Sequence, residues 1–308
     1  MHSRRKFLAQ SLTATAIPLL GMTETLHQYS SDDFSTPISV PLHIFATNWG
    51  YNGDLASFCQ KAKAAGYDGI EMWVPGNPTQ RDLLLNTVAQ FDLKLGLLTG
   101  SGKSNFEENR NEFRQQIDLA IAMKPVYINC HSGKDFFTLS QAKDIVTDTI
   151  LTAKQSGIPI YHETHRGRIC YNIPTTQALL SDIPEMKLTL DISHWCVVHE
   201  SLLKDQKEAV ALALSKTGHI HARVGHQEGP QVTDPRAPEW QDAFMAHLAW
   251  WDEVVKMKNQ QGIAITILTE FGPPMYLPVV PYTQQPLANQ WDINVYMLNF
   301  LRNRYQNK

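Results

Sequence analysis

The stretch LTLDISHW, Leu188 to Trp195, begins as a buried strand and ends in polar groups: Asp191, then His194 three residues on, with the indole of Trp195 beside it. Side chains along a strand alternate between its two faces. Leu188 and Leu190 therefore share one face, and Lys187, Thr189 and Asp191 the other. An apolar strand that turns polar only where it stops fits a barrel, in which one face packs on helices and the strand end opens into a mouth. The neighbouring segments decide whether that fits the whole chain.

From Pro41 onward, short apolar or β-branched runs alternate with segments of helical period. The runs read LHIFATN, YDGIEMW, LKLGLLT, VYINCH, IPIYHET, KLTLDIS, HIHARVG and AITILTEFG. Helices are expected near 54–65, 79–91, 105–124, 138–156, 173–182, 201–217, 239–261 and 287–306. Gly66, Gly157, Gly218 and Gly262 fall where helices hand over to strands, at the position where a left-handed backbone favours glycine. Eight βα units in roughly 265 residues predict an α/β fold, a single-domain (β/α)8 TIM barrel, over 41–308. A doubly wound sheet would want a glycine-rich first turn, and ATNWGYNGD contains no GxGxxG.

The composition agrees with one such domain: 308 residues, 43% of them hydrophobic, supply ample core. A formal net charge of -3 offers no basic face for a polyanion, which argues against nucleic acid as a partner. Cys59, Cys130, Cys170 and Cys196 form no CxxC, and Cys59 shares a helical face with Leu55, Phe58 and Ala62, as a buried free thiol would. Near the start, SRRKFLAQSLTATAIPLLG sets Arg4 and Arg5 before Phe7, Leu8 and a weakly apolar run. It resembles a twin-arginine export signal, implying a periplasmic or cell-envelope destination, and the run is too short and too rich in Thr for a stable membrane span. Residues 22–40 read as a polar linker, so 1–40 is expected to be signal and linker.

Parity at the other strand ends extends the pattern of Asp191. Tyr161 and Glu163, then His219, His221 and Arg223, then Leu268 and Glu270 all face the barrel axis. Four successive strands thus each bring one ligand-type side chain to the same rim: Glu163, Asp191, His221 and Glu270. Three carboxylates so close repel one another unless a positive charge sits among them. One divalent metal ion supplies it; three oxygens and an imidazole favour Mn²⁺, with Zn²⁺, Co²⁺, Fe²⁺ and Mg²⁺ as alternatives. A strand-end carboxylate can also be a helix N-cap. His219 lies a pleat deeper than His221 and reads as a core histidine. Glu71 and His131 face the mouth as substrate ligands or as structural hydrogen-bond partners, His162 has the parity of a packing residue, and His165 and His226 lie in loops.

The strand ends GYDGIEMW, YHETH, LDISHW, HIHARVG and TEFG resemble, in order and spacing, those of the xylose isomerase-like TIM barrels, a superfamily of sugar phosphate isomerases and epimerases. The resemblance covers the chain from about Pro41. It implies that Glu163, Asp191, His221 and Glu270 hold a metal, that His194 and Arg223 touch substrate, and that Glu163 and Glu270 serve as acid and base on opposite faces of a sugar. Trp49, Trp73 and Trp195 would then form flat walls for the sugar ring.

The segments 226–240 and 272–286, both expected over the mouth, carry prolines where phosphate-binding barrels place glycine-rich turns. An unphosphorylated sugar or keto-sugar is therefore the expected substrate, with a homo-oligomer left open. Other readings are a metal-dependent lyase or hydrolase of keto-glycosides, a non-catalytic sugar-binding barrel and, against the charge balance, an abasic-site endonuclease.

Overall fold

Eight parallel strands pair in sequence order and close into a barrel: β1 (Leu42–Thr47), β2 (Gly69–Trp73), β3 (Lys94–Gly100), β4 (Tyr127–His131), β5 (Ile160–Glu163), β6 (Leu188–Leu190), β7 (Thr217–Ala222) and β8 (Ile265–Thr269). This computed structural model describes residues 38–306; the expected export signal lies outside the described residues. The barrel closes where β1 pairs with β8, Leu42 opposite Ile265 and Ala46 opposite Thr269. Around it run α1 (Leu55–Ala65), α2 (Pro78–Gln90), α3 (Phe106–Ala122), α4 (Leu139–Ser156), α5 (Ile173–Asp182), α6 (Ser193–Val198), α7 (Lys207–Ser215), α8 (Gln241–Gln260) and α9 (Gln290–Gln306).

Local chemistry sets the helix ends. Asp54 accepts a hydrogen bond from the Ser57 N–H to start α1, and Thr138 and Gln141 form a reciprocal capping box at α4. Gly66 and Gly157 end these two helices with φ of 95° and 71°, as expected of left-handed caps. Gly218 is different: it lies inside β7, not at a helix end. A Cβ there would sit 2.1 Å from the ring of Tyr161, so its missing side chain makes room for that ring inside the barrel.

Two more glycines do the same, Gly69 for Phe45 and Gly96 for Tyr127. These rings fill the barrel below the mouth; Tyr127 stacks on His219 with centroids 4.1 Å apart. Outward-facing apolar residues such as Ile44, Leu190 and Ile267 pack with the helices in one continuous core. His162 belongs to that outer layer, held by Ser132 Oγ at 2.6 Å and Thr149 Oγ1 at 2.9 Å. All four cysteines are free and buried. No helix among the described residues is long and apolar enough to cross a membrane.

The expected helix at 201–217 forms only as α7, preceded by the short α6. That extra turn moves Trp195. Its indole is buried in the barrel–helix core and donates to the Cys170 carbonyl at 2.9 Å, so it does not wall the mouth.

Candidate active site

Glu163 ends β5, Asp191 follows β6, His221 lies in β7 and Glu270 follows β8. One ligand atom from each lies within 4.8 Å of every other. The side chains of Glu163, Asp191 and His221 are fully buried, and that of Glu270 is 11% exposed. Neighbouring donors fix their orientation. Asn129 Nδ2 donates to Glu163 Oε2 at 2.7 Å, and His131 Nε2 lies 3.1 Å from the same oxygen. The Ser193 Oγ–H donates to Asp191 Oδ1 at 2.5 Å, and the Asp191 N–H donates to Thr164 Oγ1 at 2.8 Å.

A cation fits this group. Glu163 Oε1, His221 Nδ1 and Glu270 Oε2 are buried without a hydrogen-bond partner, although His221 Nδ1 and Glu270 Oε2 approach to 2.8 Å. Orphaned buried polar atoms cost free energy, and an ion held by these residues would lower that cost. Arg223 is the positive group already there: its guanidinium donates to Asp191 Oδ2 and His194 Nε2 and lies 3.6 Å from Glu270.

One layer deeper, Glu71 bridges two imidazoles, 3.3 Å from His221 Nε2 and 3.4 Å from His219 Nε2. Glu71 also borders the cavity of the mouth, so it serves both alternatives open for it: it faces the cavity, and it turns His221 so that Nδ1 faces the carboxylates. Such carboxylate–imidazole contacts also decide charge. Burial opposes ionisation of Glu71, but His221 and His219 hold its pKa below the usual carboxylate range. Burial likewise opposes a charge on His221, and Glu270, Glu71 and Glu163 together hold that pKa well above the ordinary imidazole value. Burial lifts the Asp191 carboxyl to about 6 despite Arg223, with Glu270 and Glu163 adding to the rise.

Above this group lies a cavity of about 320 Å³, lined among others by Trp49, Trp73, His131, His165, Glu270 and Tyr276. Volumes of this order suit a small-molecule ligand. Trp49 and Trp73 form walls, as expected. His194 does not: it is fully buried behind His165, ring centroids 4.0 Å apart, and touches Arg223 rather than the cavity. Glu163 is also withdrawn from the cavity, whereas Glu270 lines it. His165, left between pocket and solvent by sequence, faces the pocket, and burial pushes its pKa down to about 3. Sequence reasoning passed over Asn129 and Tyr276. Asn129 has the inward parity of His131 one pleat deeper, a signal that was readable. Tyr276 comes from the 272–286 segment, which does reach the mouth. The 226–240 segment props it instead, through Gln231 and the backbone of Gly272.

A search of curated proteins by sequence finds no match. Solved structures with the same fold include a D-psicose 3-epimerase, 11% identical, with a TM-score of 0.58 over 84% of this chain and 98% of that one. A 3-keto-D-glucoside 4-epimerase from E. coli is 14% identical, with a TM-score of 0.55 over 85% and 99%. A xylose isomerase-like TIM barrel protein from Mycobacterium smegmatis in complex with magnesium is 12% identical, with a TM-score of 0.54 over 86% and 98%. At such identities the likeness is one of fold. The family model described as xylose isomerase-like TIM barrel matches residues 59–266, two thirds of the sequence. The chain belongs to the xylose isomerase-like TIM barrel family.

Proposed function

We propose that the protein is a divalent-metal-dependent isomerase or epimerase that abstracts a proton next to a carbonyl of an unphosphorylated sugar or keto-sugar. The observation that carries this reading is the convergence of Glu163, Asp191, His221 and Glu270 on one point beside a sugar-sized cavity, with three of their atoms unsatisfied. The D-psicose 3-epimerase and the 3-keto-D-glucoside 4-epimerase that share the fold are sugar and keto-glucoside enzymes, which agrees with this reading.

A bound divalent cation, Mn²⁺ by donor preference, would supply positive charge against the negative charge that develops when the carbon loses its proton. The protein's own groups do the rest. Glu270, the carboxylate that lines the cavity, takes the proton. On the other wall, His131 reaches the cavity and contacts Glu163 at 3.1 Å, so the pair returns a proton to the opposite face or the adjacent carbon. Trp49 and Trp73 flank the ring. Arg223, the one guanidinium in the lining, is already engaged by Asp191. That leaves no free fixed cation among the described lining residues for a phosphoryl group, and an exported enzyme would meet free sugars.

The test is incubation of the metal-loaded protein with free ketoses and 3-keto-glycosides in D₂O. Deuterium entering a carbon position, with product of the same mass class, supports the proposal. A shortened product would mean elimination instead. Binding without exchange would leave a non-catalytic barrel.

A further inference from the structure

At the opposite end of the barrel a second cavity, of about 290 Å³, opens among the starts of β5 to β8 and the last turns of α4 and α8. Its walls are apolar where Ile150, Pro159, Ile160 and Ile263 meet, and Tyr161 borders it over the space left by Gly218. Three lysines line it, Lys154, Lys187 and Lys258, against one carboxylate, Glu185. Glu185 stands 3.8 Å from Lys154. No described carboxylate pairs with Lys187 or Lys258.

Lys258 is the informative one. It is 7% exposed, its stem is buried at the end of α8, and it lines the cavity. Partly burying such a charge is costly, and burial, reinforced by Lys187, pushes its pKa down to about 8. Lys216 adds a further positive charge near Lys187. In a chain of net charge -3 this corner is locally basic.

We propose that this cavity binds a small amphipathic anion, a monocarboxylate on an apolar body, with the carboxylate between Lys258 and Lys187 and the apolar part against Tyr161, Ile160 and Ile263. Inorganic phosphate would satisfy the lysines but leave the apolar walls in water, and an uncharged hydrocarbon would leave the lysines unpaired. The site lies at the end of the barrel remote from Glu270 and stands whether or not the sugar chemistry above is correct.

Calorimetric titration of the full-length protein with octanoate tests it, with octan-1-ol and inorganic phosphate as the uncharged and apolar-free probes. Octanoate is expected to bind saturably at one site per chain, more tightly than either control. Affinity should fall by roughly tenfold or more in Lys258→Met. Lys187→Gln, at an exposed position that leaves the fold intact, should also weaken binding. Bound octanoate should slow reductive methylation of Lys258, read by mass spectrometry. Absence of saturable binding, equal binding of octan-1-ol or phosphate, or affinity unchanged in both variants would overturn the proposal.

Discussion

At the mouth of the barrel Glu163, Asp191 and Glu270 stand among His131, His221 and Arg223, every carboxylate within reach of a positive or proton-bearing partner. At the floor Lys187 and Lys258 stand beside Tyr161, and the one carboxylate there, Glu185, lies against Lys154 instead. The rings of Phe45, Tyr127 and Tyr161 separate the two ends. The same eight strands therefore carry two electrostatic environments. In the mouth, burial and pairing fix the charge of each group and leave three ligand atoms open toward one point. At the floor, an unpaired cation is left beside an apolar wall. On the two proposals above, the difference teaches that one barrel can offer a cation site at its mouth and an anion site at its floor, though the chain as a whole is nearly neutral.

The comparison breaks first at Glu270. Glu270→Gln removes the carboxylate that lines the cavity but keeps its shape, so turnover should fall by about 10³-fold. Deuterium exchange into the sugar is the readout, and octanoate binding at the floor should not change. Exchange at the wild-type rate would remove Glu270 from the role of base.

The helix layer offers a reference outside both ends. His247 in α8 donates from Nδ1 to the Ala243 carbonyl at 2.8 Å and accepts the Gly225 N–H on Nε2 at 3.2 Å, the pattern of a neutral ring. Burial pushes its pKa down from 6.5 to about 4. Between those values the unfolded chain holds a proton that the folded chain does not. Stability from this group is complete above pH 6.5 and is lost as pH falls toward 4, by up to ~3 kcal/mol. Urea denaturation across that window should show a shallower pH slope in His247→Gln than in the parent; equal slopes would contradict the assignment.

Glu71 sharpens the comparison because it lies between the two environments. Removing it in Glu71→Ala frees the His221 ring to turn, and metal affinity should drop by roughly 10- to 100-fold, measured by competition with a chelating dye. The smallest expected effect separates two tryptophans. Trp73→Ala should cost substrate binding about 1 kcal/mol, seen as a raised KM at unchanged kcat. Trp195→Phe should lower the melting temperature and leave KM alone, since its indole is in the core.

Much of this was legible in the sequence, and particular residues show where legibility stopped. Strand parity has a period of two, so a single apolar strand such as ITILT assigns Glu270 to the axis without knowledge of its neighbours. The same logic assembled Glu163, Asp191 and His221. Depth was harder. How far up the barrel a side chain sits depends on strand stagger, which is set by closure: Glu163 and His194 share the mouth by parity yet lie outside the cavity lining, while Glu71, opposite Thr47 and Gly96, reaches it with His131. Trp195 failed for another reason. After Asp191 the period changes from strand to helix over only six residues, and α6 has no side-chain cap to announce it. Gly218 resembled a helix terminator because the sequence around it cannot reveal the ring of Tyr161 across the strand pair.

The central claim is that four successive staves hold one divalent cation. Its most direct test is metal analysis by mass spectrometry together with calorimetric titration of Mn²⁺ into the metal-stripped, full-length protein, repeated for Glu163→Gln and Asp191→Asn. The account predicts one ion per chain in the parent and affinity reduced by roughly 100-fold or more in each variant. A parent chain that binds no divalent ion, or variants that bind it as tightly as the parent, would contradict it.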